Sequence, residues 1–473
     1  MIRAQRGTSQ VKHNRYPHLV VDTDRSESLT SSTGAVLLRE TMQIAGLDTA
    51  LTTALKPWTA PRAVHDPAKV LVDLATAVAV GGDCVSDLSI VRAQPALFGL
   101  VASDPTASRL ISTLAENSTA VVAAIRQARA HCRDRVWARR RPLDGVPGSV
   151  DGGQVIVDLD ATTVTAHSDK EHAEINYKRQ YGHAPMCALL DHGQFGTGEP
   201  LICDLRRGGA SPQGADLHIS TLTAALAQLP AGERDQVLVR TDAAGCSKEF
   251  LAHITNTGLQ YSIGYIISDT IKTALARLSE QAWQPAIDAN GEPRLDAHVA
   301  ELTTAIPALA TSDAPWPKGM RVIVRREYPH SGAQLRLTDI DGRRYTVFAT
   351  NTRGTGWTLP TLELRHRQRA RAEDRIRNLK DTGLANLPFQ AFAKNQIWLE
   401  IVCLATELLV WTQTLCWDPH APIRRWEPKQ LRLRILAVAG RIIRSGRRQL
   451  LRLPRNWPHL EAITTGWTAL HTT

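Results

Sequence analysis

The 473-residue chain has no CxxC pair, no internal repeat, no low-complexity tract and no charge-free apolar run of membrane length. Its seven cysteines (Cys84, Cys132, Cys187, Cys203, Cys246, Cys403 and Cys416) are dispersed and odd in number. That pattern argues against a disulfide frame or a zinc site, and for reduced core thiols in a cytosolic protein. The opening MIRAQRGTSQVKHNRYPHL is polar and basic, without the apolar centre of a signal peptide. The most membrane-like run, IWLEIVCLATELLVWTQTLCW (397–417), carries Glu400 and Glu407. Two acids in one span are costly in lipid, so the expectation is a buried helix and no membrane partner. RRGGASPQGA (207–216) is rich in glycine but lacks GK[ST], so it reads as a strand-to-helix loop rather than a P-loop.

What the chain has in excess is positive charge, +10 with a pI near 9.4, which favours polyanionic partners such as nucleic acid. Hydrophobic residues make up 43%, enough for a substantial core. Residues 1–25 read as a polar tail, and 33–139 as a succession of helices, two of them opened by Asp66-Pro67 and Asp104-Pro105. The Pro/Gly-punctuated stretch RRPLDGVPGSVDGG (140–153) marks a boundary. Beyond it QVIVDLDATTV, APMCALLD and EPLICDL read as three strands, followed by helix–strand alternation through QVLVRTD and QYSIGYII. MRVIVRREY, AQLRLTD and RYTVFAT then alternate like a meander, and the tail 423–457 is strongly basic.

Three carboxylates stand out. Asp158 and Asp160 end one strand on the same face, and Asp242 ends another; strand ends are where functional groups gather in α/β sheets. The third lies in LRHRQRARAEDRIRNLK (364–380), where six arginines and a lysine surround Glu373 and Asp374. At about 100° per residue, His366, Arg369, Glu373 and Lys380 share a stripe roughly 60° wide. One acid flanked by bases on a single face suits phosphoryl transfer, with cations on the carboxylates and bases on the phosphates. A solvated helix laced with Glu–Arg pairs is the plain alternative.

At these residues the sequence resembles the DDE transposases of bacterial insertion sequences, in the cut-and-paste branch with the signature Tyr-x2-Arg-x3-Glu-x6-Lys. His366, Arg369, Glu373 and Lys380 have that spacing, with histidine in place of tyrosine. VDLDATTVTAHS and LVRTDAAGCSKEFL are similar to the strands of the first two acids, and FAKNQIWLEIVCLATELLVWTQ to the helix after the third. The resemblance implies an α/β, ribonuclease-H-like core (150–267 and 358–418) with a β-rich insertion (268–357). An all-helical domain that binds DNA ends (1–145) would precede it, and a basic helical segment (419–473) would follow. It implies Asp160, Asp242 and Glu373 as catalytic ligands of two Mg²⁺ ions, with Mn²⁺ as a substitute. Asp160 is preferred to Asp158 because the family places its acid before a small residue and threonine, here Ala161-Thr162; strand geometry alone leaves the two equivalent. It further implies phosphate contacts from His366, Arg369 and Lys380, a hairpin intermediate, a homodimer on paired terminal repeats, double-stranded target DNA, and a cytoplasmic, nucleoid-associated location. A catalytically decayed repressor and a structure-specific nuclease with the same core remain as alternatives.

Other features read more plainly. His167, His172, His183 and His192 are expected to be turn or surface histidines. Trp283, Trp316 and Trp357 are expected to be core residues, with stacking on a flipped base as the alternative. In the tail, Arg441, Arg444, Arg447, Arg448 and Arg452 are candidates to neutralise DNA phosphates.

Overall fold

The computed structural model describes residues 29–145, 149–150, 154–306, 309, 316–329, 332, 334 and 339–472. The expected tail at 1–25 and most of the expected strand AQLRLTD lie outside them. The N-terminal region is helical as expected: α1 Val36–Ala45, α2 Leu47–Leu55, α3 Pro67–Ala79, α4 Asp104–Glu116 and α5 Ser118–Asp144. α3 starts where Asp66 accepts from the Ala68 amide at 2.9 Å and Pro67 fills the first position, where a missing N–H costs nothing.

After residue 153 come β1 Gln154–Ala161, β2 Met186–Leu190, β3 Glu199–Asp204, α6 Ala215–Ala227, β4 Val237–Thr241, α7 Lys248–Asn256 and β5 Gln260–Tyr265. The next strands are β6 Gln284–Ile287, β7 Pro293–Glu301, β8 Arg321–Glu327 and β9 Arg344–Thr350. All nine lie in one sheet of order β6-β7-β8-β9-β5-β4-β1-β2-β3, with the two-residue strand Ser149–Val150 added beside β1. β1, β4 and β5 run parallel, β2 pairs antiparallel with β1, and β3 pairs antiparallel with β2 at the sheet edge. This is the ribonuclease-H-like order. The expected insertion is β-rich but is not a separate body, because β9 pairs antiparallel with β5 and continues the same sheet.

Two helices follow, α8 Leu359–Arg367 and α9 Arg371–Leu379, separated by a 3-10 turn at Gln368–Ala370. Then α10 Phe392–Cys416 runs through the middle of the molecule, buried along its length, as expected of a helix apolar on all sides. Glu400 and Glu407, flagged as too costly for lipid, are fully buried and paired with arginines of α5. Arg129 donates to Glu400 at 2.8 Å and to Glu407 at 2.8 and 2.9 Å, and Arg126 to Glu400 at 2.8 Å. Arg133 bonds Glu407 and, at 2.7 Å, Glu199. One hydrophobic cluster extends from Ala35 to Leu470. The helical region before 145 therefore shares its core with the rest of the chain, and its buried ion pairs with the central helix and β3.

The C-terminal segment departs from the helical expectation. Arg441–Ser445 and Arg448–Arg452 form an antiparallel hairpin, β10 and β11, before the closing helix α11 at Leu460–His471. Ser445 pairs with Arg448, so Gly446 and Arg447 make a two-residue turn, and Gly446 takes φ +60°. Glycine at the first central position with positive φ is the chemistry of a primed hairpin turn, which outweighs the helical spacing of the isoleucines and leucines.

Candidate active site

The site starts from strand register. β1 and β4 run parallel with Leu159 opposite Thr241, so the next residues, Asp160 and Asp242, leave adjacent strands at the same level. Both line a cleft of about 540 Å³, whose walls come from Asn176–Lys178, Arg206 and the glycine-rich loop. Asp242 is held by a hydrogen bond from the Ala244 amide at 3.0 Å. Asp160 Oδ2 lies 3.5 Å from Arg369 Nη1. Burial pushes the Asp160 carboxyl up to about 6, with Arg369 pulling it down and Asp242 pushing it further up.

Asp158, two residues earlier on the same face, is sealed. Its two oxygens accept from Arg240 Nε and Nη2, each at 2.7 Å, and only 1% of its side chain is exposed. Arg240 also reaches Asp191 at 2.8 Å, and Arg371 and Arg375 each reach Asp191 at 3.1 Å. Burial pushes the Asp191 carboxyl up, but Arg240, Arg375 and Arg371 outweigh it and hold the group well below the usual carboxylate range. Asp158 is thus occupied inside the fold, while Asp160 faces the cleft.

The arginine-rich segment resolves in the same way. Arg365 donates to Gln154 at 3.1 Å and Thr352 at 2.6 Å and lies over the Trp357 ring. Arg367 pairs with Glu363, Arg371 and Arg375 with Asp191, and Arg377 with Asp374 and Glu427. Of the six arginines, Arg369 is the one that reaches a cleft carboxylate. Glu373 is exposed on the first turn of α9, without a hydrogen bond or ion pair among the described residues. Lys380 begins the distorted turn after α9, and burial pulls its ammonium pKa down.

The expected single stripe is broken. The 3-10 turn advances by about 120° per residue rather than 100°, and His366 ends up inside. Its ring stacks on Phe348 at 4.4 Å and 6°, and its Nδ1 lies 2.9 Å from Ser262 Oγ. Burial, with Arg369, Arg240 and Arg325 nearby, keeps the imidazole neutral well below its ordinary pKa. In this structure His366 is a packing group beneath Arg369, not a residue open to phosphate.

The glycine-rich loop was read only as a connection, yet Gly208–Gln213 form one wall of the cleft. Gly208 lies so close to the small sheet of 164–183 that a Cβ would meet the Gly182 carbonyl oxygen at 2.1 Å and that of Glu174 at 2.3 Å. Its glycine is therefore a packing requirement, and its neighbourhood to a strand-end acid was the sequence signal. The three insertion tryptophans meet protein groups: Trp283 lies under Arg326, Trp357 under Arg365, and Trp316 against Tyr265 and Lys248.

Two carboxylates at the mouth of one cleft, one of them desolvated and with a single guanidinium against it, lack positive charge. An oxygen-only donor set with that deficit fits a hard divalent cation. Among the described residues the three acids do not bring their oxygens all within 4.8 Å of one another; only Asp83, Cys84 and Asp87 do so, on the surface. Asp160 and Asp242 line the cleft together, whereas Glu373 is not among its lining residues.

Strand-end acids on a ribonuclease-H-like sheet define the class: an enzyme of metal-dependent phosphoryl transfer. The chain belongs to the family described as transposase DDE domain group 1, whose model matches residues 11–473, and so is a transposase that cleaves DNA and transfers strands with divalent metal. No curated protein matches the sequence. Among solved structures it is similar to a piggyBac transposase synaptic complex with hairpin DNA, at 10% identity and TM-score 0.39, covering 83% of this chain and 77% of that one.

Proposed function

We propose that the protein cuts the ends of an insertion sequence and joins them to target DNA, with Asp160, Asp242 and Glu373 as its catalytic acids. The observation that carries this is the β1–β4 register, which supports Asp160 and Asp242 acting together at one cleft mouth while Arg240 occupies Asp158. Magnesium is the proposed ion, two per site, with manganese as a substitute. When bound, such a pair activates the attacking oxygen and stabilises the leaving one. The chain's own contribution is placement. Asp160 and Asp242 fix the cleft floor, and Arg369, set against Asp160, is positioned for a phosphate oxygen beside the scissile bond. His366, stacked on Phe348 and within hydrogen-bond distance of Ser262, packs the start of the segment against the sheet. Lys380, with no acid partner among the described residues, is the second phosphate-binding residue, and Arg444, Arg447 and Arg448 on the exposed hairpin contact the DNA backbone.

The first transfer makes a hairpin on the element end, and two chains act on paired ends as a homodimer in the bacterial cytoplasm, at the nucleoid. The test is cleavage and joining of DNA carrying the element ends by Asp160→Ala, Asp242→Ala and Glu373→Ala proteins. Each is expected to lose both reactions and keep DNA binding, because affinity comes mostly from phosphate contacts. Wild-type cleavage by Glu373→Ala would remove the third acid from the set.

A further inference from the structure

The C-terminal hairpin carries a second reading, which rests on DNA being the substrate but not on which acids cut it. From residue 437 to 459 there are six arginines and no aspartate or glutamate. An isolated two-stranded hairpin is marginal in water, and this one is anchored on one face. Ile442 and Leu451 pair across the strands and pack on the core, while Gly440 exchanges backbone hydrogen bonds with Thr30 at 2.8 and 2.9 Å.

Strand alternation then turns the other face outward, with the Ile443–Leu450 pair lying between Arg441–Arg452 and Ser445–Arg448. Leu450 is 40% exposed, and Arg448 and Arg452 on this face and Arg447 in the turn are exposed with no acid partner among the described residues, while Arg444 lies on the face of Ile442. Like charges directly opposite across a ladder are unfavourable, and Arg441 faces Arg452. Arg447, Arg448 and Arg452, without an acid partner among the described residues, are cations that a polyanion would neutralise.

Charge alone points to phosphates, but the aliphatic pair among the arginines does not. Ile443 and Leu450 gain nothing at a phosphate backbone, whereas thymine methyls line the major groove, where arginine also reads guanine edges. Strands about 4.8 Å apart fit a groove about 12 Å wide and overfill the minor groove, about 6 Å wide. We infer that β10–β11 is a ribbon that enters the major groove of duplex DNA, with its arginines on phosphates and guanines and Ile443 and Leu450 on base edges.

The test uses the full chain and two mixed-sequence duplexes of equal length, one plain and one with glucosylated hydroxymethylcytosine, which fills the major groove and leaves the phosphates unchanged. The wild-type protein is expected to bind the plain duplex about tenfold more tightly, the scale of lost base contacts. Combining Arg447→Ala, Arg448→Ala and Arg452→Ala should bring the ratio to about one and reduce the salt slope by about 2–3. Ile443→Thr with Leu450→Thr, a change to another strand-forming residue, should reduce the ratio while keeping the salt slope. Equal binding of both duplexes by the wild-type protein, or a ratio unchanged in the arginine variant, would overturn the ribbon. An Asp160→Asn arm separates the two readings: it should keep the wild-type ratio, and if it still cleaves DNA the catalytic assignment fails while the ribbon stands.

Discussion

Asp158 and Asp160 lie two residues apart on one strand and point to the same side, yet the fold uses them in opposite ways. Asp158 is matched by a bidentate Arg240 and closed off from solvent. Asp160 is left with one guanidinium at 3.5 Å and a neighbouring carboxylate. A buried acid with a full complement of donors is part of the architecture; a half-buried acid with too few is a place where a cation and a reaction can be accommodated. The arginines of 364–380 divide on the same principle, five serving the protein and Arg369 facing the cleft.

The comparison can be broken most severely on its sealed side. Deleting residues 1–145 removes Arg126, Arg129 and Arg133 and leaves Glu400 and Glu407 buried without partners. The truncated chain is expected not to fold, seen as loss of cooperative unfolding and of soluble protein; a folded, soluble fragment would show that the helical region is an independent domain. Next, Arg240→Ala strands Asp158 in the interior, while Asp191 keeps Arg371 and Arg375, and should cost about 3–5 kcal/mol, measured by denaturant unfolding. Asp160→Ala in the same assay should not approach that loss.

The open side has a pH signature. Asp160's folded pKa, about 6, lies above its unfolded value, so its contribution to stability is full below about pH 4 and is lost as pH rises through about 6. For the metal-free protein that is on the order of 2–3 kcal/mol, and Asp160→Asn should flatten that part of the pH profile. Magnesium should return stability above pH 6 by mass action, in the wild-type protein and not in Asp160→Asn. The smallest expected effect is at Arg369: Arg369→Ala should slow cleavage by about 10–100-fold, roughly the worth of a charge-assisted contact, with Arg369→Lys recovering little of it. Full rates in Arg369→Ala would return the segment to a purely structural role.

Much of this was legible in the sequence, because strands and helices leave local signals. QVIVDLDATTV, QVLVRTD and QYSIGYII became β1, β4 and β5, and the strand-end acids were visible as such. The choice between Asp158 and Asp160 was not visible in geometry, since both have the same parity; Arg240, far away in sequence and opposite Asp158 in register, decides how each is used. The helical region looks separable in sequence because RRPLDGVPGSVDGG punctuates the chain after it, whereas the pairing of Arg126, Arg129 and Arg133 with Glu400 and Glu407 spans more than 250 residues and leaves no local signal. The tail was read as a helix because its apolar spacing fits one; the Ser445-Gly446 turn was the overlooked signal.

The most direct measurement is a metal switch at the cleft acid. Asp160→Cys replaces a hard oxygen ligand with a thiolate, which suits manganese better than magnesium. With DNA carrying the element ends, the account predicts no cleavage by Asp160→Cys in Mg²⁺ and recovered cleavage in Mn²⁺. Cleavage by Asp160→Cys in Mg²⁺ at the wild-type rate would contradict it, because an acid that holds the catalytic ion cannot be replaced without loss.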